Sequence, residues 1–141
     1  PNVLAKQAAK DAGAYEAWFV DREGRVTEGS STNAWIVTAE NRLVTRHADH
    51  GILSGITRSV ILDMVAAEGL TLEERPFSVA EAHEAKEAFL TGSSTIVLPI
   101  VSIDGAPVGD GRPGPVAGRL RRAYHAHAEA APAWSVHNGR A

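Results

Sequence analysis

Between two apolar segments, Ala14 to Val20 and Ala34 to Val37, the chain passes through Glu28-Gly29-Ser30-Ser31-Thr32-Asn33. A hairpin turn needs only a short connection with Gly or Asn at a position of positive φ. This stretch carries a carboxylate and a run of small hydroxyl and amide side chains, more polar chemistry than turning requires. The surplus points to a bound polar ligand, against the plainer reading of an ordinary polar loop. A second hydroxyl-rich turn, Gly92-Ser93-Ser94-Thr95, interrupts the apolar runs Ala88 to Thr91 and Ile96 to Ile103 in the same manner. The chain is thus constrained to bring short strands together around two polar interruptions.

With 141 residues the chain is the size of one domain, and 44% hydrophobic and 22% charged residues are globular values. A formal net charge of -3 gives no electrostatic reason to expect nucleic acid or an anionic membrane surface. The absence of cysteine excludes disulfides and thiolate metal sites. No apolar run approaches the roughly 20 residues of a membrane span, and no basic-then-apolar signal layout opens the chain. These features predict a soluble, cytoplasmic protein that binds neither nucleic acid nor membrane.

Taken in order, residues 3 to 12 form a helix with Leu4, Ala8 and Ala12 on one face and Lys6 and Lys10 on another, stopped by Gly13. Ala14 to Val20 reads as a strand, Asp21 to Gly24 as a turn and Arg25 to Thr27 as a strand, so Glu28 falls at a strand end. Asn33 to Val37 and Leu43 to Thr45 form two more strands. A helical stripe through Ile56, Val60, Ile61, Met64 and Val65 puts Gly55 and Thr57 at a helix N-terminus. Free backbone N–H groups and the positive end of the helix dipole make such a terminus a ready phosphate or carboxylate site, although a simple cap is the common alternative. Thr71 to Pro76 reads as a strand, Val79 to Lys86 as a short helix, Asp104-Gly105 as a hairpin turn and Val116 to His127 as a closing amphipathic helix. The domain is expected over 1–131, with a loosely held tail over 132–141.

Other motifs weigh less. Gly109-Asp110-Gly111-Arg112-Pro113-Gly114 has dinucleotide-fingerprint spacing, but Pro113 and Pro115 stiffen it and no second strand follows its helix. His47 and His50 lack a third metal partner at a recognisable spacing. Arg119, Arg121 and Arg122 read as a solvated or subunit-contact face. The remaining polar features are the Glu28 to Asn33 stretch, the Gly55-Ile56-Thr57 helix start and the Gly92 to Ser94 turn. A phosphate on a flat heteroaromatic ring would use all three: the phosphate on the helix start and hydroxyls, the carboxylate on a protonated ring nitrogen. Pyridoxal phosphate is such a molecule.

At these residues the chain resembles a known family. Glu28-Gly-Ser-Ser-Thr-Asn33, Leu53-Ser-Gly-Ile-Thr-Arg58, Phe89-Leu-Thr-Gly-Ser-Ser94 with Pro99, and Ile103-Asp-Gly105 through Gly109-Asp-Gly-Arg-Pro-Gly-Pro115 are similar to the carboxyl half of class IV (fold type IV) pyridoxal-phosphate aminotransferases, D-amino acid transaminases above all. The resemblance implies a mixed α/β domain whose sheet partly closes into a barrel with flanking helices. It also implies a pyridoxal 5'-phosphate cofactor, amino acid and 2-oxo acid substrates, a homodimer, and a smaller amino-terminal domain facing the cleft.

Residue by residue, the resemblance implies that Glu28 holds the pyridine nitrogen protonated and that Leu53 packs against the ring. Gly55, Ile56, Thr57 and Ser93 would hold the phosphate, with Ser31 and Asn33 also at the cofactor, and Gly92 and Ser94 near the substrate carboxylate. The chain departs from the family at Ile96, where an acidic residue is usual. The family's Schiff-base lysine lies upstream of Pro1. Lys6, Lys10 and Lys86 are the lysines present, and Lys6 and Lys10 align with solvent-facing helix positions. The expectation is the carboxyl portion of a working transaminase, with a branched-chain aminotransferase or a non-catalytic remnant as alternatives.

Overall fold

The structure is a computed structural model that describes residues 2–29, 32–46, 55–92 and 96–130. Helix α1 (Asn2–Asp11) ends where Gly13 turns to φ 80, with Gly13 N–H donating to Lys10 O (3.0 Å) and Ala14 N–H to Ala9 O (2.7 Å). That pair of bonds satisfies the last carbonyls and needs the left-handed backbone that glycine adopts without strain. Strands β1 (Trp18–Val20) and β2 (Arg25–Gly29) follow as an antiparallel hairpin, with β6 (Phe77–Ser78) on the far side of β2. The Asp21 carboxylate shapes the hairpin turn, accepting from the backbone N–H of Arg25 (3.0 Å) and of Glu23 (2.9 Å). These bonds, Arg25's first, hold the Asp21 carboxyl below its ordinary range.

The central sheet has five strands in the order β5 (Thr71–Glu74), β4 (Arg42–Thr45), β3 (Asn33–Val37), β7 (Glu87–Gly92) and β8 (Ile96–Ile100). Only β4 and β5 pair in parallel, through the crossover helix α2 (Gly55–Glu68). β3 is buried on both faces, which is why Asn33-Ala34-Trp35-Ile36-Val37 lacks the apolar-polar alternation of a half-exposed strand. One face carries Trp35, Val37, Leu43 and Phe89 into a core with Val60, Ile61 and Met64 of α2 and Val116, Ala117 and Leu120 of α4 (Pro115–Ala130). The other face carries Ala34, Ile36, Val44 and Ala88 into a second core with Val26, Phe77 and Ala82 of α3 (Val79–Glu84). Trp35 and Phe89 stack nearly parallel at 5.9 Å, and the indole N–H donates to Thr91 Oγ1 at 2.9 Å.

Several expected boundaries shift for identifiable reasons. The strand expected over Ala14 to Val20 pairs only from Trp18. That expected to Pro76 ends at Glu74, because proline has no N–H for a ladder, and the chain crosses at Pro76 into the other sheet as β6. The run expected from Ile96 to Ile103 divides into β8 and a two-stranded ribbon of β9 (Ser102–Ile103) and β10 (Ala106–Pro107) turning on Asp104-Gly105. The helix expected to Lys86 stops at Glu84. The fold is mixed α/β, and its described strands pair as three separate sheets. No described helix is long and apolar enough to cross a membrane.

Helix α3 starts on a signal that the sequence reading passed over. Ser78 Oγ accepts from Glu81 N–H (3.0 Å), and the Glu81 carboxylate accepts from Ser78 N–H (3.0 Å), a reciprocal capping box. Arg75 braces it through Glu81 (3.0 Å) and Glu73 (2.8 Å). The Arg75 guanidinium, with help from Ser78, holds the Glu81 carboxyl below the usual glutamate range. A depressed carboxyl contributes stability above its unfolded pKa and loses it as pH falls through the folded value. Ser78→Ala is expected to cost about 1 kcal/mol in urea unfolding. The gap between the parent protein and Arg75→Met should be present at neutral pH and shrink as pH falls through and below the ordinary glutamate range; a gap that holds at acid pH removes this ion pair as its cause.

The glycine-rich loop serves packing. Gly109 sits at φ 57 and Gly111 at φ 79, and a Cβ on Gly109 would collide with the Lys86 carbonyl. A Cβ on Gly114 would overlap the buried Glu87 side chain, which accepts from the Val116 N–H (3.0 Å) and Ala117 N–H (3.1 Å) at the start of α4. The basic residues of α4 are partly engaged: Arg119 pairs with Glu68 at 2.6 Å, and Arg121 donates to Val97 O at 2.6 Å on the sheet's edge strand.

Candidate active site

Strand directions bring the three polar stretches to one edge of the central sheet. Asn33 opens β3 directly opposite Thr91, and Gly92 closes β7 opposite Ile96. Thr45 ends β4 opposite Trp35, and β2 ends at Gly29, just before the chain enters β3. β2, β4 and β7 therefore all end at this edge. Because β4 arrives there and α2 carries the crossover, the N-terminal turn of α2 opens at the same edge. In α/β units, the carboxyl ends of parallel strands with a following helix start form the usual crevice for anionic ligands.

Of the expected site residues, Glu28, Asn33, Gly55, Ile56, Thr57 and Gly92 have a described backbone position at this edge. Glu28 is the penultimate residue of β2, opposite Phe19 of β1. Between the Val20–Val26 and Phe19–Glu28 pairs, Thr27 has no partner on β1 and its hydroxyl donates to Phe19 O at 3.2 Å. Such a bulge bends and twists a strand, here immediately before the carboxylate. Asn33 is 7% exposed, and its Nδ2 has no hydrogen-bond partner among the described residues. Gly55, Ile56 and Thr57 form the first turn of α2, and Gly92 ends β7. Ser31, Leu53, Ser93 and Ser94 lie outside the described residues, as do His47 and His50.

Two side chains missed in the sequence belong beside this edge. Thr32 donates its hydroxyl to Glu16 Oε2 at 2.9 Å, and Glu16 Oε1 accepts from Ala17 N–H at 3.0 Å. Glu16 thereby ties the polar stretch to the segment entering β1, across 16 residues of chain. Thr91 is buried, and its Oγ1 accepts a hydrogen bond from the Trp35 indole N–H. Glu16 was legible only as a carboxylate within an apolar run, and Thr91 carried no signal beyond strand propensity.

The opposite edge is chemically committed elsewhere. A polar cleft of about 400 Å³ opens there beside Asn41, Lys86, Asp110 and Arg112. Lys86 bonds Asn41, Arg119 pairs with Glu68, and Glu87 caps α4. Lys86 precedes β7, six residues before Gly92, which is about 20 Å of extended strand. Lys86 is thus remote from the polar edge, and Lys10 is exposed on α1.

Comparison with known proteins identifies the family. The family model for amino-transferase class IV matches residues 1–103. The chain is 41% identical over 123 residues to branched-chain-amino-acid aminotransferase-like protein 2 of Arabidopsis thaliana, a match covering 87% of this chain and 22% of that protein. It is 39% identical over 122 residues to D-alanine aminotransferase of Bacillus licheniformis, covering 86% of this chain and 42% of that protein. The solved branched-chain amino acid aminotransferase of Thermobaculum terrenum in its PLP form superposes with a TM-score of 0.76 at 37% identity, over 88% of this chain and 40% of that one. The chain therefore spans well under half the length of these relatives. With a family match over 103 residues and a shared fold, the chain belongs to the class IV aminotransferases.

Proposed function

We propose that this chain is the carboxyl-terminal, pyridoxal-phosphate-binding portion of an enzyme that transfers an amino group between an amino acid and a 2-oxo acid, of the D-amino acid transaminase kind. The observation that carries the reading is that β2 and β7 end, and β3 and α2 begin, at one edge. Branched-chain transamination is the second reading, favoured by the Thermobaculum terrenum likeness. The domain would span 1–131 with a tail over 132–141. A homodimer in the cytoplasm, an amino-terminal domain supplying the Schiff-base lysine, and a partly closed barrel belong to the same proposal.

The residues present suit the cofactor. A helix N-terminus offers unpaired N–H groups to a phosphate, and the Asn33 amide is a buried donor lacking an acceptor among the described residues. When bound, pyridoxal phosphate supplies an electron sink for the negative charge that develops at the substrate's α-carbon. Glu28 would keep a proton on the ring nitrogen. Leu53 would pack against the ring and exclude water. The Ile56 and Thr57 backbone, with the Thr57 and Ser93 hydroxyls and Gly55, would hold the phosphate, and Ser31 and Asn33 would also serve the cofactor. Gly92 and Ser94 would serve the substrate carboxylate.

The direct test is borohydride reduction of the native protein with pyridoxal phosphate, followed by intact mass and peptide mapping. The expected result is a species heavier than 14.9 kDa with the pyridoxyl group on a lysine upstream of Pro1. A 14.9 kDa species without adduct overturns the catalytic reading, and a stoichiometric adduct on Lys6 overturns the alignment of α1.

A further inference from the structure

Strand β2, which carries Glu28, lies in the three-stranded sheet, and β3, which opens at Asn33, lies in the five-stranded one. No ladder among the described residues joins the two strands. Val26 of β2 shares a core with Ala34 and Ile36 of β3, but apolar packing is non-directional and leaves the strand ends free to shift. A directional contact is needed to fix one end against the other.

The register of the β1–β2 hairpin places Glu16 for that task. Trp18 is opposite Gly29, so Glu16, two residues further back, lies up to about 7 Å beyond the end of β2. Its Oε1 accepts from Ala17 N–H at 3.0 Å, which orients the carboxylate, and its Oε2 accepts from the Thr32 hydroxyl at 2.9 Å. Thr32 is 5% exposed and directly precedes β3. A threonine hydroxyl is commonly satisfied by a backbone group a few residues away. Here it is bonded to a carboxylate 16 residues distant, a charge-assisted bond of roughly twice the neutral strength.

We infer that Glu16 is a positioning residue: through the Thr32 hydroxyl its carboxylate fixes the start of β3 against the end of β2, and so sets how effectively Glu28 acts in turnover. This rests on the reading of Glu28 given above, and it adds a residue outside the four motifs that carry the family resemblance. The test uses the complete protein, saturated with pyridoxal phosphate, and measures kcat and KM with D-alanine or L-leucine, whichever the parent protein turns over, and 2-oxoglutarate.

Thr32→Val, which keeps the shape and loses the hydroxyl, and Glu16→Ala should each lower kcat about 10-fold, below the roughly 10²-fold that a 1 Å misplacement can cost. KM should stay within about 2-fold, with the absorbance of bound cofactor undiminished. Thr32→Ser keeps the hydroxyl and should restore kcat to within about 3-fold of the parent. In a Glu28→Gln background, Thr32→Val and Glu16→Ala should change kcat less than about 2-fold, because the carboxylate they act through is gone. Should Glu16→Ala fail to fold, Thr32→Val set against Thr32→Ser reads the same bond.

A parental kcat in Thr32→Val, even with a lowered urea midpoint, overturns the inference and leaves the tie structural. So does a Thr32→Ser variant no better than Thr32→Val, or the full loss persisting in the Glu28→Gln background. Parental turnover in Glu28→Gln alone is a different result: it overturns the reading of Glu28, and the role of Glu16 falls with it.

Discussion

Glu28→Gln in the complete enzyme is expected to lower turnover by about 10²- to 10³-fold, the scale for removing one preorganised electrostatic partner of a developing charge, while the cofactor stays bound. The argument begins with charge. A ring nitrogen holds its proton against neutral pH when an anion lies beside it, because an opposite charge within hydrogen-bond range favours the charged form. Glutamine matches glutamate in size and can still accept a hydrogen bond, but it carries no charge to stabilise that proton. On the proposed reading the α2 N-terminus carries binding, which should therefore survive. The measurements are steady-state kinetics together with the absorbance of bound cofactor. Unchanged turnover removes Glu28 from the role assigned to it, and loss of cofactor shows that its part is binding.

Glu87→Ala is expected to destabilise the protein by about 3–5 kcal/mol in urea unfolding. Glu87 is 5% exposed, and its two carboxylate oxygens are divided between the Val116 and Ala117 N–H groups. Truncation strands both donors at a buried helix start, each costing about 1–3 kcal/mol. It also removes the carboxylate from the positive end of the 16-residue helix α4. Glu87→Gln, which keeps one acceptor oxygen, should cost less than half as much. Gly114→Ala should also destabilise, since its added methyl occupies the space of the Glu87 side chain. A loss below about 1 kcal/mol for Glu87→Ala shows that water or another group takes over the cap.

Much of this domain is legible in residue order. The stop at Gly13, the hairpin at Asp21 to Gly24 and the helix start at Gly55 follow from backbone preferences confined to a few neighbours. The Glu28 to Asn33 stretch stands out because it holds more hydrogen-bonding groups than a turn uses. The loop from Gly109 to Gly114 shows the reverse case, since its spacing mimics a dinucleotide fingerprint while its glycines answer to Lys86 and Glu87, more than 20 residues upstream. No local pattern announces such a requirement.

Local chemistry along the chain thus specified the elements, the polar interruptions and, through its motifs, the class IV aminotransferase family. Only the tertiary structure decided which residues meet. It paired Asn33 with Thr91, tied Glu16 to Thr32 and carried Lys86 to the far edge. It also made Glu87 a cap and left the Asn33 amide without an acceptor among the described residues. The physical reason is range: φ/ψ preferences, caps and hydrophobic period act within a few residues, whereas burial and hydrogen-bond satisfaction depend on neighbours that only the strand order and the α2 crossover bring together.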